Sequence, residues 1–263
     1  MSAPLSFKNL TVRYGEREIL RGLSGRLEPG RLVALIGPNG SGKSTLLKTL
    51  GGLLPYEGSI SLMDRELRTI PRRELGRTVG MLPQNTQMDT ALTVYDLIAL
   101  GRLPHEKLIA AKNREDETII LDCAARMELN SLLFRSAARI SGGEAQRALL
   151  AMLLAQDPDV FLLDEPSSAT DIKHAALIFS LFRKMAAESG RIVLAAVHDV
   201  NLAMRFADDT IALKGGEILA ACPMAAVNGE LLEALYEVPF ERFVSQSGAA
   251  AWHATRQPEA GPR

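Results

Sequence analysis

The feature that most constrains this chain is a glycine-rich stretch, GPNGSGKS, at residues 37–44. A short apolar run at 31–36 precedes it and is typical of a strand buried on both faces, and a helix is predicted over about 43–50. The glycines let the backbone curl so that successive N–H groups point at an anion, and the start of the helix adds the positive end of its dipole. Strand, loop and helix in this order predict a phosphate-binding loop in an α/β fold, with an ordinary glycine-rich turn as the alternative.

Two side chains of this loop suit a nucleoside triphosphate. Lys43 is expected to neutralise the β- and γ-phosphates, and the Ser44 hydroxyl to ligate Mg²⁺. We therefore expect ATP and Mg²⁺ as ligands. The residues predicted to contact the nucleotide here are Gly37, Pro38, Asn39, Gly40, Ser41, Gly42, Lys43, Ser44 and Thr45.

A second stretch, VFLLDE at 160–165, places two adjacent carboxylates after four apolar residues. The apolar run predicts a buried strand, and ligands of a parallel sheet lie at the carboxyl ends of its strands. Asp164 is then expected to hold Mg²⁺ through water, and Glu165 to polarise the attacking water as a general base. A solvated acidic pair in a turn before Pro166 is the alternative.

A third stretch, SGGE at 141–144, has the spacing of a capping box and predicts the start of a helix. Its two glycines leave backbone N–H groups exposed, which favours anion binding. Ser141, Gly142, Gly143 and Glu144 are therefore candidates for a second phosphate contact, while a plain helix cap remains the alternative.

The amino-acid composition restricts the classes of function that the chain can have. The chain has 263 residues, is 47% hydrophobic and carries a net charge of −1, which gives no basic field for nucleic acid. Cys123 and Cys222 have no metal-like spacing and are expected to be reduced core residues. We expect no export signal in residues 1–7 and no apolar run long enough to span a bilayer, so any membrane role would require a partner chain.

The rest of the chain divides by its periodicity. Residues 5–12 alternate as in an edge strand, and helices are predicted from Thr93, with Asp96 as its capping partner, to about 154, including one over 113–127. Further strands are predicted at 58–63, 78–82, 159–163, 191–197, 211–213 and 217–220, the last two as a hairpin. The last dozen residues, 252–263, are polar and contain proline, which predicts disorder.

Over residues 5–245 the sequence resembles an ATP-binding-cassette (ABC) nucleotide-binding subunit. The loop at 37–44 matches its Walker A motif, ISGGEAQR at 140–147 its LSGGExQR signature, and 161–165 its Walker B motif with the catalytic glutamate. The resemblance implies a P-loop NTPase (RecA-like) α/β core with an N-terminal antiparallel β subdomain and an inserted α-helical subdomain. The core with its β subdomain would span 5–85 and 155–245 and the helical subdomain 86–154, leaving 246–263 as a disordered tail.

Four further residues match the family singly. Gln84 resembles the Q-loop glutamine that contacts Mg²⁺, His198 the switch histidine that senses the γ-phosphate, Tyr14 the aromatic that stacks on adenine, and Asp171 the D-loop aspartate that couples two sites. The predicted catalytic set is Glu165, His198, Lys43 and Gln84, and the predicted metal set is Ser44, Gln84 and Asp164. Two positions depart from the family: Ile140 and Thr170 each replace the usual leucine.

The resemblance also implies a function. Two subunits, either two copies of this chain or this chain with a paired cassette, would form a head-to-tail dimer with ATP between them. The dimer would lie on the cytoplasmic face of the inner membrane, beside separate permease subunits and, indirectly, a substrate-binding protein. Residues 92–105 resemble iron-siderophore, haem and vitamin B12 importer ATPases, although this stretch also fits simple packing at a helix start. The alternatives are a soluble ABC ATPase that acts on nucleic acid or ribosomes, and a regulatory cassette that binds ATP without turnover.

Overall fold

The computed structural model describes residues 4–84, 92–105, 114–244 and 250–255. The strands are β1 (Leu5–Tyr14), β2 (Arg17–Leu27), β3 (Leu32–Ile36), β4 (Glu57–Leu62), β5 (Arg65–Glu66), β6 (Val79–Leu82), β7 (Val160–Asp164), β8 (Ile192–Ala196), β9 (Asp209–Lys214), β10 (Glu217–Pro223), β11 (Phe240–Val244) and β12 (Ala250–Ala254). The helices are α1 (Lys43–Leu50), α2 (Arg72–Thr78), α3 (Val94–Ala99), α4 (Arg114–Arg126), α5 (Gly142–Gln156), α6 (Ile172–Ser189), α7 (Val200–Phe206) and α8 (Gly229–Tyr236).

The central sheet has the strand order β10-β9-β3-β8-β7-β6, and every pair except β10 with β9 is parallel. Strands β3, β7 and β8 are buried along their whole length. On β3, Leu32, Ala34 and Ile36 pack into one hydrophobic core and Val33 and Leu35 into another. Because both faces of the sheet are covered, these strands are continuously apolar, as the sequence predicts.

The antiparallel sheet has the order β2-β1-β4-β5, and here one prediction is wrong. Residues 5–12 were expected to form an edge strand, but β1 lies between β2 and β4. The alternation of apolar and polar residues reports one buried face, and it carries no information on the number of neighbouring strands. The second neighbour, β4, begins about 50 residues after β1 starts and pairs through contacts such as Phe7 with Ile60.

Between β6 and β7 the described residues form α3, α4 and α5, and α5 packs against both of the others. Both predicted capping boxes are present: Thr93 with Asp96 at the start of α3, and Ser141 with Glu144 at the start of α5. Each hydroxyl accepts a bond from a backbone N–H of the first turn, while the acidic side chain accepts the N–H of the capping residue. Residues 86–91 and 106–113 of the predicted helical subdomain, and residue 85 just before it, lie outside the described residues.

The predicted disordered tail at 246–263 is wrong for part of its length. Ala250–Ala254 forms β12, which pairs with β11 in antiparallel register from Phe240 with Ala254 to Val244 with Ala250. Trp252 packs against the main core, which a composition rich in polar residues and proline does not indicate. Residues 245–249 and 256–263 lie outside the described residues. In the described part of the chain, none of the helices combines the length and the apolar character that crossing a membrane requires.

Candidate functional site

The glycine-rich loop connects β3 to α1 and is closely enclosed. Gly37 has a φ of 152°, and a Cβ there would lie 2.1 Å from the carbonyl oxygen of Leu213 on β9. Gly42, with a φ of 106°, is the residue that precedes α1, and a Cβ there would lie 2.7 Å from the Leu20 side chain. No side chain caps α1, so its first backbone N–H groups remain available to an anion. Glycine at these two positions is therefore required for the shape of the loop.

Lys43 is the first residue of α1 and is only 7% exposed. Its ammonium group donates to the carbonyl oxygens of Gly37 at 2.7 Å and Pro38 at 3.1 Å. Burial lowers the pKa of Lys43, while the charges of Glu165 and Asp164 oppose that change. The loop thus holds a buried cation next to the anion-binding N–H groups, which suits a polyphosphate.

Asp164 ends β7 and is 1% exposed, with both carboxylate oxygens buried and without a hydrogen bond of normal geometry. Burial raises its pKa, and the Ser44 hydroxyl and the charges of Lys48 and Lys43 oppose that rise. The Ser41 hydroxyl oxygen is also buried without a partner. Unsatisfied buried oxygens of this kind fit a hard divalent cation with its water shell, since such a cation prefers oxygen ligands.

Glu165 is the centre of a cluster drawn from three separate strand ends. Its Oε1 accepts a hydrogen bond from Gln84 Nε2, which follows β6, at 2.7 Å. The same oxygen lies 2.5 Å from Nε2 of His198, which follows β8. Glu165 itself follows β7 and has a φ of 53°. Because β6, β7 and β8 are adjacent and parallel, their carboxyl ends bring these predicted residues together.

Two residues that the sequence reasoning missed support this site. Gln146 on α5 is 7% exposed and donates to the Pro166 carbonyl at 3.3 Å and to the Glu165 carbonyl at 3.5 Å. Tyr236 at the end of α8 has a buried hydroxyl without a hydrogen bond of normal geometry, near the backbone N–H of Gly37. Burial raises the pKa of Tyr236, and that N–H opposes the rise. Gln146 falls inside the signature stretch, so that motif was the available signal, whereas no sequence pattern pointed to Tyr236.

The signature stretch begins α5. Glu144 Oε2 accepts from the Ser141 backbone N–H at 2.7 Å and from its hydroxyl at 2.8 Å, and these bonds lower the pKa of Glu144. Its carboxylate is thus engaged in the helix cap, although nucleotide contact was predicted for it. A Cβ on Gly142 would meet nothing within 4 Å, whereas one on Gly143 would lie 2.9 Å from the Ala169 carbonyl oxygen. The start of α5 therefore has one open side and one side closed by the segment before α6.

Tyr14 and Asp171 have partners outside the cluster at Glu165. Tyr14 ends β1 opposite Arg17 and is 50% exposed, so its ring is free to meet a planar ligand. Asp171 caps α6, accepting from the backbone N–H of His174 at 2.9 Å and contacting its ring at 2.8 Å, and these bonds lower the pKa of Asp171. The Thr170 hydroxyl, at one of the two unusual positions, donates to the Ser167 carbonyl at 3.0 Å and closes a local turn.

We predict that Asp164→Asn raises the unfolding midpoint of the nucleotide-free protein at neutral pH. The folded pKa of Asp164 is raised, so ionisation costs stability as the pH rises above the unfolded value of about 3.9. The increase in the unfolding midpoint should be present at neutral pH and should disappear as the pH falls towards about 4. Thermal unfolding at both pH values measures it, with the exposed Asp64→Asn as the control. A lower midpoint for Asp164→Asn at neutral pH would contradict the assigned burial cost.

Comparison with known proteins agrees with this geometry. The family profile described as ABC transporter matches residues 20–168. The ferric enterobactin transport ATP-binding protein FepC of Escherichia coli (strain K12) is 37% identical over 236 residues, which cover 89% of this chain and 87% of that protein. The iron(3+)-hydroxamate import ATP-binding protein FhuC of Bacillus subtilis (strain 168) is 32% identical, with 90% and 89% covered.

Two solved structures share the fold. The inward-facing conformation of a putative metal-chelate type ABC transporter gives a TM-score of 0.82 at 25% identity and covers 97% of this chain and 98% of that one. The dimeric, post-hydrolysis structure of the ATP-binding cassette MJ0796 with ADP and Pi gives 0.75 at 29% identity, with 84% and 98% covered. This chain belongs to the ABC transporter family, as an ATP-binding subunit that hydrolyses ATP.

Proposed function

We propose that this chain powers the import of an iron chelate, using Mg²⁺-ATP held between two copies of itself beside separate membrane permease subunits. The observation that carries the proposal is the cluster in which Glu165 meets both Gln84 and His198 while the buried Asp164 and Lys43 lie next to it. This arrangement supplies a base, its positioning partners, a metal ligand and a phosphate-binding cation in one place.

In the proposed reaction, water attacks the γ-phosphorus of ATP and Glu165 takes up its proton. The bond from this phosphorus to the bridging oxygen breaks and ADP is the leaving group, while the phosphate loop and Lys43 hold the phosphates. Gln84 and His198 hold the carboxylate through the same oxygen, so the other oxygen, Oε2, is left to meet the water. Asp164, Ser44 and Gln84 would hold Mg²⁺, which neutralises charge on the phosphates when bound.

Dimerisation is proposed from the shape of the signature stretch and from the relatives. The start of α5 is open at Gly142, which leaves room for a second phosphate contact. MJ0796 is described as a dimer in two structures, and one of them holds ADP and Pi. If Ser141 to Gly143 of one copy meet the nucleotide of the other, ATP closes the pair and hydrolysis opens it, which couples chemistry to movement.

The cargo is proposed from the relatives. FepC and FhuC are named for ferric enterobactin and for iron(3+)-hydroxamate, and a third relative, FpuD of Bacillus anthracis, for petrobactin. We propose accordingly that this chain lies on the cytoplasmic face of the inner membrane and that its importer receives cargo from a substrate-binding protein. A soluble ABC ATPase that acts on nucleic acid is the second candidate, but the net charge of −1 does not favour it.

We predict that a host strain lacking this chain loses uptake of radiolabelled ferric siderophore and regains it with the wild-type chain but not with Glu165→Gln. Parallel assays with haem and with cobalamin separate the three cargo types. Unchanged uptake of all three in the deletion strain would contradict the import proposal, and loss of haem or cobalamin uptake alone would reassign the cargo.

A further inference from the structure

The C-terminal unit, defined here as residues 229–244 and 250–255, is joined to α7 by a pair of hydrogen bonds. The Asn201 side chain accepts the backbone N–H of Trp252 at 2.7 Å and donates to the Trp252 carbonyl at 3.0 Å. A side-chain amide thus pairs with β12 in the way that a neighbouring strand would. Because an isolated two-stranded hairpin is only marginally stable, the position of this hairpin depends on such contacts.

Asn201 lies at the start of α7, three residues after His198. Asp199 caps this helix by accepting the backbone N–H of Asn201 at 2.8 Å and of Leu202 at 3.2 Å. The first turn of α7 is therefore held from two directions, by its own cap and by β12. His198 immediately precedes the cap, so a displacement of this turn would carry the His198 backbone with it.

The other end of the C-terminal unit is fixed to the end of β9, which lies beside the phosphate loop. Lys214, at the end of β9, donates to the Ala234 carbonyl at 2.5 Å and pairs with Glu237 at 2.9 Å. Leu213, which precedes Lys214, places its carbonyl oxygen against Gly37 of the phosphate loop. Inside the unit, the Trp252 ring lies so close to Gly229 that a Cβ there would be 3.1 Å away. The contacts of the C-terminal unit with the end of β9 and with Asn201 therefore connect the phosphate loop to α7.

We propose that Asn201 is a positioning residue for ATP hydrolysis: through its pairing with Trp252, the C-terminal unit sets the place of His198 against Glu165. This inference rests on the catalytic role proposed for His198. Asn201 is not among the residues predicted to contact the nucleotide, and in this proposal it acts through the backbone of the turn that carries His198. A displaced catalytic group slows the chemical step more than it weakens nucleotide binding.

The test is steady-state ATP hydrolysis by Asn201→Ala together with NMR of the histidine rings. We expect kcat to fall roughly tenfold while KM for ATP changes less than about twofold, the pattern of a lost positioning interaction. The chain has four histidines, so the His198 ring signal is identified by its absence in His198→Ala. In Asn201→Ala this signal should shift while the unfolding midpoint shows a folded protein.

Two further variants complete the test. Asn201→Asp keeps the bond to the Trp252 N–H, loses the bond to its carbonyl and suits the start of a helix, so it should fold well and give an intermediate kcat. His253→Ala, on the exposed side of β12, should retain the wild-type kcat. If His198→Ala hydrolyses ATP normally, the role proposed for His198 is wrong. If His198→Ala is impaired but neither Asn201 variant changes kcat or the His198 signal, the positioning role is overturned.

Discussion

Glu165→Gln is expected to bind ATP with nearly unchanged affinity and to hydrolyse it at least about 100-fold more slowly than the wild-type chain. The amide has the shape of the carboxylate, and its oxygen can still accept from Gln84 and His198, so the local geometry is kept. The amide cannot take a proton from water, because it lacks the basic oxygen that the reaction requires. Phosphate release under saturating Mg²⁺-ATP and nucleotide binding by calorimetry measure the two effects separately.

Glu165→Gln also tests whether ATP is bound between two copies of the chain. Because the bound triphosphate is not consumed, the dimer should persist with Mg²⁺-ATP and separate in ADP, as measured by size-exclusion chromatography with light scattering. Glu188→Gln changes an exposed carboxylate on α6 that pairs with Lys184; it is a matched control and should behave as the wild type. Hydrolysis by Glu165→Gln at the wild-type rate would remove Glu165 from catalysis. If Glu165→Gln stays strictly monomeric with Mg²⁺-ATP, even beside its permease subunits, the proposed nucleotide site between two chains is wrong.

The sequence predicts best those parts of the site that lie within one continuous pattern. The buried strand, the glycine loop and the start of α1 are adjacent in the chain, and the apolar run before Asp164 is equally local. These predictions are confirmed because β3 and β7 are covered on both faces, which forces a continuous apolar run. The capping boxes at Thr93 and Ser141 are also short-range and are found as predicted.

What the sequence does not predict depends on contacts between distant segments. Pairing with β4 places β1 inside its sheet. Residues 250–254 form a strand because they pair with β11 and because Trp252 packs on the hydrophobic core. Gln146 and Tyr236 are an ordinary helix residue and an ordinary aromatic until the fold places them beside Glu165 and Gly37. No periodicity or spacing in the sequence predicts such long-range contacts, because each forms only when the sheet and its helices have packed.

The cluster at Glu165 was predictable only through the resemblance. Glu165 contacts Gln84, which lies 81 positions earlier in the chain, and His198, which lies 33 positions later. Each of the three alone is an unremarkable polar residue at the end of a strand. Adjacent parallel strands share one carboxyl edge, but the order β8-β7-β6 had to be known before these three ends could be placed together. Family motifs supplied that order indirectly.

Lys43→Ala is expected to weaken ATP binding at least about tenfold and to abolish measurable turnover, because it removes the buried cation of the phosphate loop. Without nucleotide, the ammonium group is held by the loop carbonyls of Gly37 and Pro38. Bound phosphates would replace these carbonyls as its partners, so the charge is present in the loop before the ligand arrives. Calorimetric titration with ATP and a phosphate-release assay measure the two losses.

The fold should survive this substitution. Burial lowers the pKa of Lys43, so a charged amine at this position costs stability, and its removal offsets part of what the lost hydrogen bonds contributed. Lys184→Ala, which removes an exposed lysine on α6, controls for the loss of one positive charge and should bind and hydrolyse ATP normally. A folded Lys43→Ala protein with wild-type turnover would show that the loop holds phosphate without its cation, and the phosphate-binding role assigned to Lys43 would then be wrong.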